Sequence, residues 1–232
     1  MNYFISTGEL SGDLHASYIV EKLKALDRNA NIYAIGGKNL KSQNVNIVRD
    51  IDSLAIMGFG EVIKNIGFLK KVLDETVDFI LKNQIDRVVL VDYGGFNLKL
   101  LEELKYYKPS LKISYYIPPK VWIWGKKRVH KIAKADEILV IFPWEVEFYE
   151  GNNYKALYFG NPFMEKYEKV TQKGESILLL PGSRRQEIQS LIPVMLQVVE
   201  ERPEEKFILK LAKEEDKKLI NKDLSKYSNL II

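Results

Sequence analysis

The chain has 232 residues, 46% of them hydrophobic and 28% charged, the composition of a soluble globular protein with material for one large domain or two small ones. It has no cysteine and only His15 and His130, which excludes disulfides, thiolate nucleophiles and Cys-type zinc sites and argues against a histidine-built metal cluster. The net charge of +4 mildly favours an anionic partner, but the cations are dispersed rather than striped, so no nucleic acid partner is expected. No apolar run reaches the ~20 residues that span a bilayer. The start, "MNYFISTGELSGD", lacks the basic region and cleavage site of a signal peptide, so a cytoplasmic location is expected.

In chain order, "YFIS" (3–6) reads as a strand. "SGDLHASYIVEKLKALD" then places Leu14, Tyr18, Ile19, Leu23 and Leu26 at helical spacing, with Ser11 or Asp13 suited to cap the start. Between them lies "GELSGD" (8–13). Gly8 and Gly12 beside Glu9, Ser11 and Asp13 suit a ligand, because free backbone N–H groups at a helix start favour anions. The stretch matches neither nucleotide fingerprint, and a plain capped turn explains it equally well.

"NIYAIGG" (31–37) and "VNIVRD" (45–50) are further strands. "DID" (50–52) has the look of a metal-binding Asp-x-Asp, but Ile51 would have to point away from the metal, and we treat it as coincidence. A long helical stretch follows over 60–84. From 54 to 80, Met57, Phe59, Ile63, Ile66, Phe68 and Leu69 are edged by Lys64, Lys70 and Lys71, an amphipathic pattern that suits a membrane interface. The ordinary alternative packs this face on the sheet. Apolar residues at 66, 68, 69, 72 and 73, however, predict surplus apolar surface.

"RVVLVDYGGFN" (87–97) is a buried strand that ends on an acid. A carboxylate at the mouth of a low-dielectric crevice is a candidate general base, Asp92. Gly94 and Gly95 would let a substrate approach the backbone, and Asn97 can cap the next helix. The competing reading gives Asp92 a local turn or cap hydrogen bond.

After a helix (97–107) and the strand "LKISYYI" (111–117) comes "YYIPPKVWIWGKKRVHKIAK" (115–134). Trp122 beside Lys127 and Arg128 suits a sugar or an anionic headgroup, against a helix (126–135) with a solvated basic face. "EILVIFP" (strand), "WEVEFYEGN" (helix) and "KALYFGNP" (strand, with Asn161) complete the series. Repeated βαβ units with near-continuous apolar strands predict a parallel sheet covered on both faces, with ligands at the carboxyl ends of the strands. Gly8, Gly36, Asp92, Pro118 and Asn161 all fall at such ends.

A polar stretch, "MEKYEKVTQKGES", separates an expected first domain (1–165) from a second (175–232). There "ILLLPGSRRQEIQSLIPVMLQVVEE" reads as strand, turn and helix, "KFILKLA" as strand, "KEEDKKLINKDLSKY" as helix and "NLII" as strand. Arg184 at the turn, with Gly182 and Ser183, is placed to bind phosphate. A capping box with Ser183 as cap and Gln186 or Glu187 in the first turn explains the serine better than the arginine. An α/β unit ending on an apolar strand leaves a bare edge, so the expectation is a chain cut short or completed by a partner.

Taken together, "STGELSGDLHA", "IYAIGG", "LAIMGFGEVI", "VDYGGFN", "YYIPPKVWIWGKKRVHKI", "FGNP" and "LLLPGSRRQEI" resemble the lipid-A-disaccharide synthases in order and spacing over essentially the whole chain. The resemblance implies a GT-B-like α/β fold: an N-terminal Rossmann-like doubly wound parallel sheet, acceptor-side, and an incomplete donor-side second Rossmann-like domain. It implies an inverting transferase that joins a UDP-linked 2,3-diacylglucosamine donor to a 2,3-diacylglucosamine 1-phosphate acceptor, with no metal or cofactor. It also implies a peripheral enzyme of the cytoplasmic face of the inner membrane, with the membrane surface as a partner. By the same resemblance Asp92 is the base and Arg184 steadies the leaving diphosphate, while Glu9, Ser11, Asp13 and Asn161 line the acceptor side. Two departures stand out: many relatives have proline where Gly94 stands, and relatives run well past Ile232. A membrane-associated remnant that keeps only the acceptor half is one alternative, and a UDP-sugar epimerase of similar fold is another.

Overall fold

The computed structural model describes residues 1–55, 66–123, 125–166, 174–220 and 222–232. The chain divides into two units, Met1–Tyr167 and Glu168–Ile232.

The first unit is built on β1 (Asn2–Ser6), β2 (Asn31–Gly36), β3 (Asn46–Asp50), β4 (Arg87–Val91), β5 (Lys112–Tyr116), β6 (Glu137–Val140) and β7 (Leu157–Tyr158). They form one parallel sheet in the order β3-β2-β1-β4-β5-β6-β7. Side chains alternate across a strand, so β4 serves two cores. Val88 and Leu90 pack with Phe4 of β1 and with apolar residues of α4 (Ile66–Lys82) and α5 (Gly94–Tyr107), among them Val72, Val77, Ile80, Leu100, Leu101 and Leu104. Val89 and Val91 pack on the opposite face with Ile5 and with Ala16 and Val20 of α1 (Leu10–Leu26). A strand buried on both faces has no polar side to alternate with, which is why "VVLV" is apolar throughout.

The strand order reverses between β1 and β4, and the crevice of a doubly wound sheet opens outside the carboxyl ends at such a reversal. Gly8 follows β1 there and Asp92 follows β4. Shorter helices fill the remaining connections: α2 (Lys38–Ser42), α3 (Asp52–Ala55), α6 (Val129–Ile132), α7 (Pro143–Glu150) and α8 (Phe163–Lys166).

In the second unit, β8 (Ser176–Leu179), β9 (Lys206–Leu209) and β10 (Leu230–Ile231) form a parallel sheet in the order β10-β9-β8. One face is covered by α9 (Arg185–Glu201), whose Ile188, Ile192, Leu196 and Val199 meet Phe207 and Leu209. On the other face Leu178, Ile208 and Ile231, which pair in register across the three strands, are exposed.

Three expected elements come out differently. The helix expected over 126–135 is a 3-10 turn (Lys126–Arg128) followed by the single turn of α6. The helix expected over 213–227 is a 3-10 segment, Glu214–Leu219. Asp223 accepts from the Ser225 amide (3.0 Å), a local turn that competes with helix, while Leu219, Ile220, Leu224 and Tyr227 still reach the core. The surplus apolar surface is also absent from the described part of α4. Val72 and Leu73 are buried, and Phe68 packs against the core with the Arg49 guanidinium 5.9 Å from its ring centroid. Leu69 is half-buried. The rest of the expected membrane element, Met57, Phe59 and Ile63, lies outside the described residues, and Ile66 is the first residue of α4.

The switch point is locked by one amide. Asn97, fully buried in α5, donates through Nδ2 to the carbonyls of Ser6 (3.2 Å), Val91 (3.3 Å) and Asp92 (2.9 Å), and its Oδ1 accepts from the Ser6 hydroxyl (2.6 Å). The expectation that Asn97 caps its helix or touches substrate is corrected: its amide has no surface left for a ligand. Asn97→Ala would take the amide donor from all three carbonyls. Equilibrium urea unfolding should show a loss of about 2–4 kcal/mol.

Candidate active site

After Val91 the chain turns sharply. Asp92 and Tyr93 are consecutive non-glycine residues in the left-handed region, at φ 49° and 50°. Each costs on the order of 1–3 kcal/mol and persists only where its surroundings over-determine it. Three contacts do so: the Asp92 N–H donates to the Tyr116 carbonyl (3.1 Å), and the Asp92 carbonyl accepts from Asn97 and from the Tyr115 hydroxyl (3.1 Å). Burial pushes the fully buried Tyr115 phenol well above its ordinary pKa, and the nearby Asp92 carboxylate adds to the shift. That phenol therefore stays a donor at any physiological pH.

Tyr93 lies flat on the end of β1. A Cβ at Gly8 would sit 2.1 Å from Tyr93 Cγ, so glycine is required there by the ring itself. Phe96 stacks behind the ring with centroids 5.6 Å apart. Burial, and secondarily the Glu9 carboxylate, raise the pKa of the Tyr93 phenol. Glu9, exposed at the N-cap of α1, thus lies electrostatically near this ring, and the half-buried Asp92 is next to it in the chain. Gly8, Glu9, Asp92, Tyr93 and Gly94 are the cluster that the fold assembles at the strand ends. Tyr93 and Tyr115 escaped the sequence reading because phenols buried in apolar strings look like core.

Several expected ligand-facing residues have structural partners instead. Asp13 is fully buried; its carboxylate accepts from the N–H groups of Gly37 (2.6 Å), Asn39 (2.8 Å) and Leu40 (3.4 Å), tying α1 to the start of α2. It caps that helix rather than its own, where Glu9 is the N-cap residue and Ser11 is exposed in the first turn. Gly12 packs α1 onto Thr7 and the Val91 carbonyl. The Trp122 N–H donates to the buried Glu145 carboxylate at 3.1 Å. Asn161 accepts from the Phe163 amide at 3.1 Å, opening α8. Lys127 and Arg128 are exposed.

In the second unit Gly182 has φ 91°, and a Cβ there would lie 2.4 Å from Glu187 Oε2. That oxygen accepts from the Ser183 and Arg184 amides at 3.3 and 3.2 Å. Glu187 rather than Ser183 therefore caps α9, with Arg184 as the N-cap residue. The exposed Arg184 guanidinium is 3.5 Å from Glu187, a loose pair of the kind that is weak at a surface.

The family model described as lipid-A-disaccharide synthetase matches residues 3–231. The chain belongs to that family. It is 34% identical over 225 residues to lipid-A-disaccharide synthase 1 of Legionella pneumophila strain Paris, covering 90% of this chain. It is also 34% identical over 206 residues to the lipid-A-disaccharide synthase of Geobacter metallireducens, covering 83% of this chain. The chain spans 58% and 53% of those two relatives' lengths.

Among solved structures, the UDP-GlcNAc 2-epimerase of Neisseria meningitidis bound to UDP-GlcNAc aligns with a TM-score of 0.68 at 12% identity, over 100% of this chain and 71% of that one. The Methanocaldococcus jannaschii epimerase gives 0.64 at 15% identity, over 100% of this chain and 73% of that one. At such identities the likeness is one of fold, and the fold is GT-B-like.

Two outcomes test this synthetase-family site. Gly8→Ala forces the Tyr93 ring off β1 and should lower the thermal midpoint, and Tyr93→Ala in the same chain should restore part of the loss. His15, buried in α1 with Nδ1 lacking a partner among the described residues, has its pKa lowered by burial. The folded state therefore binds this proton less readily than the unfolded one. Stability should be full above the ordinary histidine value of about 6.5 and fall as pH drops from there towards the folded value. His15→Leu should flatten that acid-side fall in urea midpoints measured across pH.

Proposed function

We propose that this chain carries the acceptor-side chemistry of an inverting glycosyltransferase that joins UDP-2,3-diacylglucosamine to 2,3-diacylglucosamine 1-phosphate, forming the lipid A disaccharide 1-phosphate and UDP. Family membership supports the reaction class. The observation that bears most on the residues is the strained Asp92–Tyr93 turn at the strand-order reversal, since strain of this kind collects at functional sites.

In this reading the Asp92 carboxylate takes the proton of the acceptor 6-hydroxyl. The oxygen attacks the anomeric carbon of the donor, the bond from that carbon to the diphosphate breaks, and UDP departs with inversion. The rigid backbone at Asp92 keeps the base fixed, which matters because small displacements from attack geometry are costly in rate. Glu9, Ser11, Gly94 and Tyr93 border the acceptor sugar. Arg184 offsets the charge that grows on the leaving diphosphate, the role of a fixed cation in phosphoryl chemistry. The site is set on the cytoplasmic face of the inner membrane, where acylated substrates reside. Among the described residues no helix is long and apolar enough to cross a membrane, which accords with peripheral attachment.

The test supplies both diacylated sugars and measures disaccharide and UDP. Asp92→Asn should lower turnover by about 10²–10⁴-fold with little change in acceptor affinity, and Arg184→Ala by about 10²–10³-fold. Undiminished turnover in Asp92→Asn would remove this carboxylate from the mechanism.

A further inference from the structure

We propose that Glu145 is a positioning residue of the site: acting through Trp122, it sets the loop 117–123 against Gly94 and so fixes the wall beside Asp92. Use of that wall for an acceptor sugar rests on the function proposed above, whereas the positioning itself rests on the geometry.

The loop leaves the carboxyl end of β5, next to the end of β4 where Asp92 stands. Its first residue shares the backbone strain found there. Ile117 has φ 54°, which makes it the third non-glycine residue, after Asp92 and Tyr93, in the left-handed region at these two strand ends. Ile117 is β-branched and precedes Pro118, and each property pushes a residue towards extended backbone instead. Such a conformation persists only where its surroundings hold it.

The loop is held at both ends. The Ile117 N–H donates to the Leu139 carbonyl of β6 at 3.0 Å. Further on, Val121 is buried in the core and the Trp122 indole N–H donates to Glu145 at 3.1 Å. Between these points Pro119 packs on Gly94, so closely that a Cβ there would lie 2.5 Å from the proline Cγ. Gly94 comes two residues after Asp92, so the loop meets the backbone that carries the candidate base.

Glu145 has the chemistry of a bracket. Asp13 and Glu145 are the buried carboxylates among the described residues. Asp13 spends both oxygens on backbone amides at the start of α2. Glu145 divides its own. Oε2 accepts from the Ile141 and Phe142 amides at 3.3 and 3.1 Å and caps α7, while Oε1 accepts from Trp122, 23 residues away in sequence. A cap needs only the first of these oxygens. The second ties the loop to a helix whose Tyr149 is itself packed in the core. Lys120 adds a weaker tie, with its ammonium 5.8 Å from the Phe142 ring centroid.

Trp122→Phe separates the two roles, because it removes the indole donor and leaves the α7 cap in place. Amide hydrogen exchange in the 232-residue chain should rise by about tenfold at Ile117. It should rise measurably at Asp92 too, whose N–H donates to the Tyr116 carbonyl of β5, while Ile141 and Phe142 exchange as in wild type. In the disaccharide assay kcat should fall by about 10–10²-fold, the cost of a small misplacement. The donor KM and the pH profile should stay where they are, since neither residue handles a proton. Glu145→Ala loses the cap as well, and adding Trp122→Phe to it should lower kcat no further. Should Glu145→Ala fail to fold, Trp122→Phe carries the test by itself.

Unchanged exchange at Ile117 and Asp92 in Trp122→Phe would overturn the proposal, as would a kcat equal to that of wild type. Absence of disaccharide with every variant, wild type included, would sink the transferase reading instead. Exchange at Asp92 would then decide the positioning role on its own.

Discussion

One buried side-chain amide holds the centre of the first unit together. Asn97 reaches from α5 to the ends of two adjacent strands, β1 and β4, and donates to three carbonyls where the strands stop. A buried carbonyl without a donor is costly, so the amide does more than decorate the turn. By holding the Asp92 carbonyl it makes a left-handed aspartate tolerable, and the left-handed tyrosine that follows then lies across Gly8. The strand-end carboxylate, the ring that follows it and the glycine beneath that ring share a single clamp.

That clamp explains a division of labour among the polar residues at the strand ends. Asp13 and Asn97 are wholly buried and bind backbone, while Glu9 and Asp92 retain exposure. The buried pair make the crevice rigid, and the exposed pair keep contact with solvent. In the second unit the same separation recurs at α9. Glu187 occupies the amides of the turn, and the Arg184 guanidinium is exposed, in a loose surface pair with the same acid.

Much of the framework was legible in the sequence. "YFIS", "NIYAIGG" and "RVVLV" are strands because unbroken apolar runs of that length fit only a sheet buried on both faces. Asp92 was legible as well, since an acid directly after such a run can fall only at a strand end. The destinations of Asn97, Asp13 and Trp122 were not, because their partners lie up to 91, 27 and 23 residues away and only the folded chain brings them near. Local capping rules mispredicted Asp13 and Asn97 for that reason. Spacing also overestimated a helix over 213–227, where a turn around Asp223 and Ser225 lets Leu219, Ile220, Leu224 and Tyr227 reach the core without one.

By itself, the order of apolar runs, turns and motifs determined a parallel α/β architecture, the strand-end position of Asp92 and the family to which the chain belongs. Tertiary structure decided which polar groups are structural and which remain available. Hydrogen-bond satisfaction in the interior is a contest among every donor and acceptor that folding brings within reach, and sequence spacing does not list the contestants. It also decided that Trp144 and Ile123 stand in solvent while Phe68, Val72 and Leu73 pack against the core. A side chain's exposure depends on what covers it, and its own chemistry is silent on that.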